Sequence, residues 1–146
     1  MRNEAAIDLL NDLLQQEERS LLPRLRESTV FVSWASAGEH VVVERMIDEA
    51  NEHRGWLVAA IIRLGGEPLP GLADIRSASI HFLELDFVLP QVVESHRGLL
   101  SVYEAAASEA SLNPVTSEVV SRIIERHRKH GEQLDELASR AKSPSP

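Results

Sequence analysis

No cysteine occurs in the 146 residues, which excludes disulfides and thiolate metal sites and leaves sulfur silent about the redox compartment. Aromatic residues are scarce, at 4% of the chain, and no segment alternates apolar and polar residues at the period of a half-buried strand. No window approaches the roughly 20 consecutive apolar residues of a membrane-spanning helix, so no membrane partner is expected. Positive charge is in deficit too. The formal net charge is −8, with acids and bases interspersed, so nucleic-acid phosphates would be repelled rather than bound. The start, "MRNEAAIDLL", puts acids ahead of any apolar run and lacks the order of a signal peptide, which sets a cytoplasmic expectation.

What the chain does contain is four long segments of helical periodicity. Its length fits one domain with a real core, expected over residues 1–142, with "SPSP" (143–146) as a flexible tail. Asn3 reads as the cap of a first helix carrying Leu10, Leu14, Glu17, Leu21 and Leu25 as far as Gly38. A second, "EHVVVERMIDEANEHRGWLVAAIIRLGG", aligns Val43, Met46, Ala50, His53, Leu57, Ala60 and Leu64 and stops at Gly65 and Gly66. A Pro- and Gly-rich connection, "EPLPGLADIRSAS", is longer than most helical hairpin loops and is expected to cross the end of the bundle. A third helix is expected from Ile80 to Ala110, broken by "SLNP", and a fourth from Val115 to Lys142. Pro23 and Pro90 should kink the first and third. The fold class that follows is all-α: an antiparallel four-helix bundle with its long connection between helices two and three. Apolar residues almost surround the third helix from Ile80 to Val93, and "LVAAII" adds more, which predicts a homodimer or higher homo-oligomer.

The polar residues on these apolar stripes carry the functional question. Glu17 lies on the first, His53 on the second, Glu94 on a face of the third, and His127 with His130 on the fourth. Buried charge costs several kcal/mol unless paired or bound to metal, so five such groups at mid-helix point to ligation. His96, on the more apolar Val93–Leu100 face, rivals Glu94; His40 and His81 lie near helix ends and read as surface or capping residues. Met46 reads as filler, and Trp34, Trp56 and Tyr103 as core or interface groups.

In "LLQQE", "EHRGWLVAAIIRLGGEP" and "ERHRKHGEQL" the chain resembles the ferritin-like superfamily, the bacterioferritin and rubrerythrin relatives. Their bundles hold two metals with one Glu on each of two helices and a Glu-x-x-His on each of the others. The resemblance implies Glu17 and Glu94 as the single carboxylates, His53 and His130 as the histidines, and iron redox, storage or ferroxidase-like chemistry. The chain departs from the pattern where Ala50 precedes His53 and His127 precedes His130 by three residues, the places of the two bridging Glu. Glu49 and Glu52 sit roughly 100° of helical rotation from the expected position and read as supporting the ligands from behind or as solvent-facing.

Two carboxylates beside three imidazoles balance one divalent ion. The expected cofactor is a transition metal, Fe or Zn foremost, as one ion or two, in a remodelled site of Glu17, His53, Glu94, His127 and His130. The alternative is a metal-free structural or interaction bundle in which these groups pair with one another, with Arg24 neutralising Glu17 and Arg97 pairing with Glu94.

Overall fold

A computed structural model describes residues 3–27, 29–71 and 85–142. Among these the chain is all-helical: α1 (Asn3–Arg19), a 3₁₀ turn (Leu22–Glu27), α2 (Thr29–Trp34), α3 (Ala37–Arg63), α4 (Leu85–Ala110) and α5 (Pro114–Lys142). The tail 143–146, His81 and most of the "EPLPGLADIRSAS" connection lie outside the described residues.

The expected first helix is in fact three elements. Pro23 has no N–H to give the carbonyl four residues back, and its ring would clash there; that carbonyl belongs to Arg19, where α1 stops. The freed Leu21 N–H instead donates to Ser95 Oγ of α4 at 3.2 Å. Asn3 lies within α1, and Gly38 lies in the first turn of α3 instead of ending a helix. The cap of α3 is Ser36, whose Oγ accepts from the Glu39 N–H while the Glu39 carboxylate accepts from the Ser36 N–H. At its other end Gly65 takes φ +86°, and Gly66 passes α1 so closely that a Cβ would lie 2.6 Å from Ile7. α4 is continuous through Pro90, which sits in its second turn. Pro114 opens α5, and Asn113 caps it by accepting from the Val115 and Thr116 N–H groups.

Polar contacts fix the helix directions. Arg54 meets Glu18 while Asn11 holds Glu67 and Leu69, so α1 and α3 run antiparallel. Arg97 with Asp135 and Arg128 with Glu104 set α4 against α5; Arg126 with Glu52 and Arg140 with Glu39 set α5 against α3. Tyr103 on Glu17 and Ser95 on Leu21 set α4 against α1. Consequently α3 and α4, consecutive in the chain, run parallel. The connection between them joins opposite ends of the helices, where the sequence suggests a crossing at one end. Its described start does turn back: Asn11 and then Gln15 of α1 bind Glu67 and Leu69.

The interior is layered. One apolar cluster gathers Leu10, Leu13, Leu14, Leu57, Ile61, Tyr103 and Ile123; the other gathers Leu21, Leu25, Phe31, Met46, Ile47, Val92 and Leu134. Between Leu14 and Leu21, Ile47 and Leu57, Val93 and Leu99, and Ile124 and Leu134, every long helix contributes a buried polar residue to one level. Val88, Leu89, Val92 and Val93, expected to serve a dimer, are buried in the chain's own core, as are Leu57 and Ile61; Ile62 is exposed. Residues 80–84, the start of that apolar run, lie outside the described residues. No helix among the described residues is long and apolar enough to cross a membrane.

Candidate metal centre

The polar level holds Glu17 from α1, His53 from α3, His96 from α4, and His127 and His130 from α5, all at most 5% exposed. Helical geometry explains the α5 pair: three residues apart, they share one face. Five ring pairs among the four histidines have centroids 4.8–6.0 Å apart. Glu17, His53 and His127 each offer a ligand atom within 4.8 Å of the others.

Hydrogen bonds assign much of the proton placement. Glu17 Oε1 accepts from the Tyr103 hydroxyl at 2.8 Å and from His127 Nε2 at 2.6 Å. His96 Nε2 lies 2.7 Å from the His127 backbone carbonyl, which can only accept, so that nitrogen carries the proton. His130 Nε2 points at Glu49 Oε1, 3.4 Å away. The opposite nitrogen, Nδ1, of His96, His127 and His130 has no hydrogen-bond partner in any of the three. Neither nitrogen of His53 has one. Each buried, unsatisfied polar atom costs about 1–3 kcal/mol, so five at one level form a deficit that the apolar clusters do not share.

The charge state follows from the same burial. Burial, reinforced by His127 and His130, pushes His53 down to about 2. Burial likewise lowers His96 to about 4, against the opposing pull of its bond to the His127 carbonyl. His130 is shifted down for the same leading reason. Burial and then the Glu17 charge hold Tyr103 well above its ordinary value, so it remains a donor. The level thus sets the neutral imidazoles of His53, His96 and His130, each with an unpartnered nitrogen, beside the Glu17 carboxylate that His127 meets, a donor set that fits a Lewis acid such as a divalent transition metal.

Of the sequence-expected ligands, the structure brings together Glu17, His53, His127 and His130. Glu94 is exposed, on a 680 Å³ surface cleft with Arg19, Gln91 and Ser95, and does not join them. His96, its rival, takes the place on α4. Arg97 pairs with Asp135, and His40 caps locally, its Nε2 donating to the Val32 carbonyl at 3.1 Å. Two participants lie outside the expected set. Tyr103 continues the α4 stripe through His96 and Leu99, a spacing that points to it, whereas Glu49 reaches His130 from the shoulder of its helix. Compared with protein-family models, with curated proteins and with solved structures, the chain gives no match.

Proposed function

We propose that this chain is a ferritin-like four-helix-bundle metalloprotein that holds one divalent transition metal at its buried histidine level. The observation that carries this is the set of unpartnered nitrogens on His53, His96, His127 and His130, at one depth with the Glu17 carboxylate. The parallel α3 and α4, joined by a long connection, support a ferritin-like path of the chain. Glu17, His53 and His127 are the central ligands in this reading, with His96 and His130 beside them. One buried carboxylate cannot balance two divalent ions, so a single ion replaces the family's pair.

The chain's own groups prepare the site. Tyr103 donates to Glu17 and holds its carboxylate in place, and Glu17 fixes His127 through Nε2. The His127 carbonyl sets the His96 tautomer. The two flanking apolar clusters exclude water and hold His53, His96 and His130 neutral. A bound ion would supply Lewis acidity and, if iron or copper, one-electron chemistry.

One observation favours the metal-free reading: Glu17 already accepts from both Tyr103 and His127, so that corner is satisfied without an ion. Thermal unfolding of untagged protein in excess Zn²⁺ and in EDTA separates the two. A metalloprotein melts higher in Zn²⁺, and a self-satisfied cluster melts at the same temperature in both.

A further inference from the structure

Where the wall between α3 and α5 backs the histidine level, it is built from charged groups that hold one another. Arg126 of α5 lies 3.1 Å from Glu49 Oε2 and 3.2 Å from Glu52 Oε2 of α3, and its Cζ stands 4.7 Å from the centre of the Trp56 ring. Arg126 is thus fixed from three sides, and it fixes Glu49 in turn. With Oε2 taken by Arg126, the other oxygen of Glu49, Oε1, faces His130 Nε2 at 3.4 Å. The Glu49 side chain is 22% exposed and that of His130 1%. A carboxylate at the rim therefore reaches a ring that lies wholly inside.

We propose, on the premise that the level binds a metal, that Glu49 is the positioning residue of His130: it holds the imidazole in orientation and as its Nε2–H tautomer, so that Nδ1 is the nitrogen offered to the ion. A carboxylate paired with a guanidinium accepts and does not donate, and a bare ring nitrogen facing it would set lone pair against lone pair. Burial keeps His130 neutral, so the ring has one proton. Nε2 takes it, and Nδ1 is left bare. That nitrogen is buried and unpartnered, in a ring whose centroid is 5.8–6.0 Å from those of His53, His96 and His127. A hydrogen bond on the far nitrogen fixes the ring's direction and makes the near one a better donor to a metal. Glu49 thus acts on the ion through His130, without touching it.

The test uses full-length, untagged, metal-free protein with ¹⁵N-labelled histidine, in which long-range ¹H–¹⁵N correlations read the tautomer of each ring and His130→Gln assigns the signals of His130. The wild type should carry the proton on Nε2. In Glu49→Gln the positive charge of Arg126 claims the single amide oxygen, so the amide NH₂ faces Nε2 and the proton should move to Nδ1. Co²⁺ affinity, read by visible absorption, should then fall about 10–100-fold at unchanged stoichiometry. The double variant Glu49→Gln with Arg126→Leu frees the oxygen to accept from the ring, so Nε2–H and most of the affinity should return. If Glu49 serves only to hold Arg126, the double variant binds no better than Glu49→Gln, and the proposal is wrong. It is also wrong if the wild-type proton lies on Nδ1, or if Glu49→Gln keeps Nε2–H or the wild-type affinity. A wild type with Nε2–H that takes up no Co²⁺ overturns the metal reading and the purpose given to Nδ1, while the tautomer of Glu49→Gln still decides whether Glu49 governs the ring.

Discussion

Leu57 and His53 stand one turn apart on α3, and neither exposes any surface, yet they belong to regions with different requirements. Around Leu57 the packing is apolar on all sides, from Leu10 to Ile123; burying such a side chain stabilises by about 1.5–3 kcal/mol and asks nothing further of its neighbours. Around His53 the burial is as complete, but both ring nitrogens lack partners. Three more histidines at that level each leave one nitrogen in the same condition. The comparison separates what holds the fold from what the fold holds: two apolar clusters do the first, and the polar level between them costs stability until something takes up its lone pairs.

The comparison breaks first at the apolar end. Leu57→Ala should cost about 2–5 kcal/mol in urea unfolding, by the same amount in Zn²⁺ as in EDTA, since the loss is of packing. A metal-dependent loss there would merge the two regions. Next, Zn²⁺ at about a hundred times its dissociation constant should add about 2.7 kcal/mol to the wild type. His127→Ala and Glu17→Gln should each cancel that increment, as measured by unfolding with and without chelator.

The pH response sharpens the contrast. His53 and His96 are depressed to about 2 and about 4 in the folded chain, from an ordinary 6.5. As pH falls below 6.5 the unfolded chain takes up protons that the folded one refuses. Their contribution is therefore intact above about pH 6.5 and lost as the pH drops, for His96 down to about 4 and for His53 further. Between about pH 6 and 5 the chelated protein should lose about 2–3 kcal/mol from this pair. Chelated stability that stays flat from pH 7 to 5 would mean that the two rings are not held neutral by burial. The smallest effect is expected from His53→Leu in EDTA, within about 1 kcal/mol of wild type or slightly stabilising, because the change removes two unpaired polar atoms. A loss of more than about 2 kcal/mol would place His53 in a satisfied network.

Much of this is legible along the chain, and the failures have physical causes. Glu17, His53, His127 and His130 stand out because each interrupts an apolar stripe, and a stripe position dictates burial. Glu94 is read from its own face of the third helix as well as from likeness to a family pattern, but that face is exposed, whereas the inner stripe of α4 runs through Leu89, Val92, His96, Leu99 and Tyr103, all buried. Glu49 escapes a reading by stripes because its Cα lies off the stripe, while its long side chain swings back to His130. The end of α1 is readable from Pro23, whose effect falls four residues upstream, at Arg19. The parallel run of α3 and α4 is not readable, since it depends on which helices pair in space.

Titration of untagged, metal-stripped protein with Co²⁺, followed by visible absorption and beside His127→Ala, tests the central claim most directly. The account predicts that the wild type binds a single equivalent with a saturating spectrum, and that His127→Ala, still folded by circular dichroism, gives neither. A wild type that fails to bind, or a folded His127→Ala that binds equally well, would contradict it.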